Sequence, residues 1–243
     1  MNEHEAPNNF AFQDVLFLGR DFTEYQKMFN LNPSQLKGKH VLDCASGPSS
    51  FQAEATMYEI KVTSCDPMYG ASGEELAQRC RTDVERVGER QLRVSHLFHE
   101  YALSTQFKDR KKKSRELFIR DYAGATPGHY VHAELPSLPF DDNSFDLVLC
   151  ANFLFLYTPL STGGMLTEDR FDYAFHRRAL ADLLRVSCAE VRIYPIKGPH
   201  NENHHRYIQD LIKETEFAGS TFSFEEVTYR DIRDAHELLK LSK

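Results

Sequence analysis

The chain has 243 residues, of which 41% are hydrophobic and 27% charged. These are the proportions of an ordinary globular protein, which excludes a mainly disordered chain and a fibre. The net charge of −7 argues against a broad nucleic-acid surface, although a local basic patch stays compatible with it. The longest mostly apolar run, 145–157, contains Asp146 and Asn152 and falls well short of the roughly 20 apolar residues of a membrane span. Met1 is followed by NEHEAPNN, which lacks the basic and then apolar regions of a signal peptide. Five cysteines with no CxxC spacing read as reduced thiols, so a cytoplasmic location is expected.

The first 19 residues read as an irregular arm that turns apolar at FAFQDVLFLG. Residues 22–31 carry apolar side chains at 22, 25, 28 and 29, the spacing of a short amphipathic helix. A buried strand is expected over 39–44 (KHVLDC), ending in the small-residue turn ASGPSS. A helix is expected to start there, with Pro48 at its first position and Ser49 and Ser50 in its first turn. A second strand, 61–65, leads into Asp66-Pro67.

Residues 72–122 then read as almost wholly helical and heavily charged. Three helices are expected, in EELAQRCRTDVERVGERQL, SHLFHEYAL and KDRKKKSRELFIRDYA. A third strand is expected near 130–133, and a central one over 145–151 (FDLVLCA). An amphipathic helix follows within 170–186, then a fifth strand over 190–196. A helix near 203–215 and strands near 221–229 and 237–241 complete the chain. This alternation predicts a Rossmann-like, doubly wound, mostly parallel α/β sheet with a helical insertion after the second strand. In such sheets ligands sit beyond the carboxyl ends of the strands, so the residues just after each strand are the candidates.

The turn ASGPSS lets a backbone approach a ligand closely, and it also serves as a plain tight strand–helix turn. Ala45 and Gly47 stand where a dinucleotide-binding loop has glycines, and Pro48 removes an amide that a pyrophosphate would use. Asp66 lies nineteen residues after Gly47, an interval at which an acidic side chain can accept from ribose hydroxyls. It also suits a turn before proline.

Taken together, VLDCASGPSS, VTSCDP and AELPSLPFDDNSFDLVLCANFLF resemble the class I S-adenosylmethionine-dependent methyltransferases. The resemblance spans about 38–66 and 128–196. It implies seven strands, S-adenosylmethionine as cofactor, and methyl transfer to a small-molecule acceptor. It also implies a cofactor site made of Asp43, Ala45, Gly47, Asp66 and Pro67, with Glu134 and Leu135 flanking the adenine and Asn152 at the methionine end. Phe153, Phe155 and Tyr157 are in the region expected to line the sulfonium. An N-terminal segment, 1–37, is expected to close over the cofactor, bringing Arg20, toward the methionine carboxylate, and Tyr25. The methyltransferase domain is then 38–243, with 72–122 as a helical cap over the acceptor. Residues 108–115, with six basic side chains among eight, read first as a solvated helix face. The alternatives are an RNA or protein methyltransferase that uses this basic run, and a non-catalytic S-adenosylmethionine-binding protein. His200, His204 and His205 have no evident carboxylate or cysteine to complete a metal site, so no metal is expected. No single residue stands out as a dedicated acid or base, and the oligomeric state is not legible.

Overall fold

A computed structural model describes residues 10–201 and 203–243; the first nine residues of the expected arm lie outside the described residues. Seven strands form one sheet: β1 (His40–Cys44), β2 (Lys61–Asp66), β3 (Tyr130–His132), β4 (Phe145–Ala151), β5 (Ser187–Tyr194), β6 (Thr221–Glu226) and β7 (Glu237–Ser242), in the order β3-β2-β1-β4-β5-β7-β6. The first five strands in that order pair parallel, and β7 runs antiparallel to both β5 and β6. The fold is therefore Rossmann-like and mostly parallel, with seven strands, as the resemblance implied. The order reverses between β1 and β4, and the crevice at their carboxyl ends is where such sheets bind ligands.

Strand β4 shows why both faces must be covered. Side chains alternate across a strand. Leu147, Leu149 and Ala151 join Val41 of β1 in one apolar cluster, while Val148 and Cys150 join Leu42 and Cys44 in another. Helices α1 (Phe22–Phe29), α2 (Pro33–Leu36) and α3 (Phe51–Ala55) precede or follow β1. The first of these clusters takes Phe22 and Tyr25 from α1 and Phe51 from α3. Phe51 stacks on both rings, at centroid distances of 5.4 and 4.4 Å. The second cluster takes Leu180 and Leu183 from the later helix over Tyr173–Val186, and Ile208 and Leu211 from the one over Arg206–Leu211.

Between β2 and β3 run α4 (Gly73–Arg93), the one-turn α5 (Glu100–Leu103) and α6 (Thr105–Gly124). The two helices just described are thus α7 (Tyr173–Val186) and α8 (Arg206–Leu211). Ser72 starts α4 with a reciprocal capping box to Glu75. The inward residues Leu76, Cys80, Asp83, Val87 and Gln91 recur at intervals of three and four, which makes one face. The expected helix SHLFHEYAL is instead a single 3₁₀ turn over Ser95–Leu97 followed by α5. The break falls at Phe98, which is extended and buried, and at His99, whose ring caps α5.

No helix among the described residues is long and apolar enough to cross a membrane. All five cysteines are free thiols, and only Cys188 is exposed.

Candidate functional site

The turn after β1 is built by its backbone. Ala45 and Gly47 both have positive φ, 56° and 59°. The Gly47 N–H donates to Asp66 Oδ2 at 2.9 Å, and the Tyr69 hydroxyl donates to Gly47 O at 2.6 Å. The Met68 N–H holds the other Asp66 oxygen at 2.9 Å. Asp66, at the end of β2, thus ties the two strand-end loops together. Helix α3 starts three residues later than expected, because Ser50, not Gly47, is its N-cap. Pro48 lies in the linker before it. Two amides at that helix start are already used: Ser50 N–H donates to Arg20 O, and Phe51 N–H to Ser49 Oγ.

These loops border a cavity of about 320 Å³, in the range of small-molecule sites. Arg20, Tyr25, Ala45, Gly47, Asp66, Pro67, Glu134, Leu135 and Asn152 all line it. Asp43 does not. It is buried behind the wall, accepting from the Tyr25 hydroxyl at 2.8 Å and from Ser46 Oγ at 2.6 Å. Burial pushes the Asp43 carboxyl up to about 7, partly offset by those two hydrogen bonds. Burial likewise pushes Asp66 up to about 6, against the two backbone N–H groups. Asp43 therefore acts as an anchor that fixes Tyr25 and the turn, while Asp66 is the carboxylate on the cavity wall.

Arg20 reaches the cavity from the arm. Its guanidinium has only long contacts, 3.4 Å to Asp231 and 3.3 Å to Leu18 O, and its buried Nε has no partner among the described residues. Burial works against its charge, but Tyr229, Asp231 and Glu24 outweigh this and raise its pKa. A buried cation with spare donors is suited to an anionic ligand group.

The basic run in α6 is not simply a solvated face. Lys111 is 1% exposed, and its Nζ lies 2.8 Å from Glu24 Oε1, itself on a residue that is 1% exposed. Arg110 makes a two-pronged pair with Asp21, both bonds at 2.8 Å. Six cations within eight helical residues point in every direction, so the stripe Phe107, Lys111, Ser114, Phe118 that faces inward has to carry one. Lys108, Lys112 and Lys113 are the exposed ones. Burial pulls Lys111 down to about 8, assisted by Arg20 and opposed by Glu24. Burial would raise Glu24, but the Lys111 and Arg20 charges hold it below its ordinary value. Both members are therefore charged at neutral pH.

The rest of the cavity wall is mostly apolar, and its apolar side chains come from four separate parts of the chain. Leu16 lies in the arm, Val87 on α4, Leu156 and Met165 in the segment after β4, and Ile232 between β6 and β7. The arm is strapped to that segment by Phe12 N–H to Met165 O (2.7 Å) and by Leu16 N–H to the Tyr157 hydroxyl (3.2 Å). Phe153 and Tyr157 line the cavity, but Phe155 does not. Phe155 has φ 64° and turns into the core against the His176 ring, at 5.2 Å. The His176 Nε2 accepts from its N–H at 3.1 Å. Neither His176 nor Gln91, which also lines the cavity, was singled out by the sequence. The Val84–Val87–Gln91 spacing was the available signal, but nothing in it says that the face borders a cavity.

Of the three histidines considered for metal, His204 pairs with Glu237 at 2.8 Å and His205 is buried against Thr158 at 2.9 Å. No group of three or more ligating side chains comes together among the described residues.

No family model matches the chain. The uncharacterized protein MJ0045 of Methanocaldococcus jannaschii is 32% identical over 206 residues, covering 83% of this chain and 86% of that protein. The chain belongs to the family of MJ0045. That relative's name carries no activity, so kinship within the MJ0045 family leaves function to the site. Solved structures with a related fold are S-adenosylmethionine-dependent methyltransferases. Magnesium protoporphyrin IX methyltransferase from Synechocystis, with bound S-adenosylmethionine, is 10% identical with a TM-score of 0.45, over 86% of this chain and 71% of that one. A methyltransferase from Aquifex aeolicus is 16% identical with a TM-score of 0.40, over 90% and 91% of the two chains. Likenesses this distant transfer no residue roles to a member of the MJ0045 family.

Proposed function

We propose that the protein is an S-adenosylmethionine-dependent methyltransferase that acts on a small-molecule acceptor. The observation that carries this reading is Asp66. Its buried carboxylate stands at the end of β2, beside the point where the strand order reverses, and borders the cavity. An ionised carboxylate has about four acceptor positions. Two backbone N–H groups take two of them, which leaves capacity for the two hydroxyls of a ribose. The start of α3 argues against a dinucleotide. The Ser50 and Phe51 amides are taken within the protein, the Gly47 N–H is given to Asp66 and Pro48 has none, so a pyrophosphate meets fewer donors than in a dinucleotide loop.

In this arrangement Glu134 and Leu135 lie beside the adenine, Gly47 lets the backbone approach, and Arg20 with its spare donors meets the carboxylate of the methionine part. Asn152 and the arm close the other side. The cofactor supplies an activated methyl group on a cationic sulfur. Arg20, Asp66 and Glu134 would hold the cofactor with its methyl group toward the acceptor, and the product left bound would be S-adenosylhomocysteine. The protein's contribution is to hold the two reactants in line and to exclude water. That need is met without a dedicated acid or base.

Asp66→Ala is expected to weaken binding of S-adenosylhomocysteine by about 1.5–3 kcal/mol, the range for hydrogen bonds to a charged group. Calorimetry on the wild type and the variant checks this. Equal affinities would remove the ribose assignment.

A further inference from the structure

We infer that the apolar end of the cavity is a subsite for a neutral, largely apolar ring compound carrying one polar group, and that Gln91 reads that group. The inference deepens the methyltransferase reading and rests on it only in calling this compound the acceptor.

Gln91 is 6% exposed, lies one turn beyond Val87 on the same face of α4, and borders the cavity. Among the described residues its side-chain amide has no hydrogen-bond partner. The amide borders the cavity and is free to pair with a ligand that offers a donor or an acceptor, a bond worth on the order of 1 kcal/mol. Its neighbour on the same stripe is the opposite case. Asp83 is fully buried yet satisfied by Phe17 N–H (2.8 Å), Arg79 (2.7 Å) and Arg86 (3.2 Å). On this stripe the carboxylate behind the wall is satisfied and the amide on the wall is free.

The arginines around this end are engaged by the protein itself. Arg79 is held by Asp83 and by Val15 O. Arg170 at the rim is paired with Asp14 at 3.3 Å. Burial keeps the Tyr157 hydroxyl protonated, its pKa well above the ordinary value. A charged ligand entering among Leu16, Val87, Leu156 and Met165 would lose hydration against apolar side chains, while Arg79 and Arg170 already spend donors on Asp83, Val15 O and Asp14. A neutral ring loses little and gains apolar contact. Gln91 supplies both a donor and an acceptor, so the polar group it reads is a hydroxyl, a ring nitrogen or a carbonyl.

The test uses the full chain with S-adenosylhomocysteine present, and 2-naphthol and 2-naphthoate as probes. By fluorescence titration, 2-naphthol is expected to bind at least about tenfold more tightly than 2-naphthoate. Gln91→Leu, which suits the apolar surroundings, is expected to weaken 2-naphthol by about tenfold, the worth of one hydrogen bond, and to leave S-adenosylhomocysteine affinity unchanged. Absence of 2-naphthol binding, equal binding of the two probes, or unchanged binding in Gln91→Leu would overturn the inference. If 2-naphthol binds in a Gln91-dependent way while S-adenosylhomocysteine does not bind at all, the subsite stands and the methyltransferase reading fails.

Discussion

Glu24→Gln is expected to destabilise the fold by about 3–5 kcal/mol, the cost of breaking a buried ion pair from one side. The Glu24 carboxylate accepts from Lys111 at 2.8 and 3.1 Å and from the Tyr229 hydroxyl at 2.9 Å, and it closes the capping box of α1 through Asp21 N–H. The amide variant keeps the shape but only one of the two acceptor oxygens, so a hydrogen bond from Lys111 is lost along with the charge. It leaves Lys111 facing Arg20 with no carboxylate in contact. Because burial already lowers the Lys111 pKa to about 8, part of the cost is met by loss of its proton. The double variant Glu24→Gln/Lys111→Met removes the stranded cation and is expected to recover most of the stability. Urea denaturation of the three proteins measures this. A loss below about 1 kcal/mol in the single variant, the size of an exposed pair, would show that the pair is not closed off from water.

Gly47→Val is expected to abolish cofactor binding while the protein stays folded. The obstacle is the backbone conformation, not lack of room. A Cβ at Gly47 would meet only Leu18 O and the Phe17 ring, at ordinary contact distances of 3.8 Å. Its φ of 59°, however, lies in the left-handed region that a β-branched residue avoids. Relaxing that angle breaks the Gly47 N–H bond to Asp66 and the Tyr69 bond to Gly47 O, the two contacts that hold the turn against β2. Asp66 then loses one of its two anchors and its aim into the cavity. Circular dichroism unchanged from wild type, with no heat of S-adenosylhomocysteine binding, is the expected pair of results. Full affinity in the variant would mean that the turn does not touch the ligand.

The strands and the turns that border the cavity are legible because they are local. A run such as FDLVLCA buried on both faces admits no other reading, and Asp43, Gly47 and Asp66 stand at strand ends that the pattern fixes to within a residue. The start of α3 was misplaced because Pro48 suits a first helical turn by local rule. What decides it is the pull on the turn from Asp66 and Tyr69, residues of the neighbouring strand end. The Phe107–Lys111–Ser114–Phe118 stripe was present in the sequence, but a lysine on an inward face carries no meaning until Glu24, 87 positions earlier, comes to meet it. The apolar half of the cavity was hidden for the same reason. Leu16, Val87, Met165 and Ile232 each read as ordinary core residues, and only tertiary packing leaves a space between them.

The cavity at the ends of β1, β2 and β4 is expected to hold S-adenosylmethionine and not a dinucleotide. Calorimetric titration of the wild-type protein with S-adenosylhomocysteine and, separately, with NAD tests it most directly. Binding of S-adenosylhomocysteine at about micromolar strength, roughly −8 kcal/mol, and no measurable heat with NAD are expected. Binding of NAD, or no binding of S-adenosylhomocysteine, would contradict it.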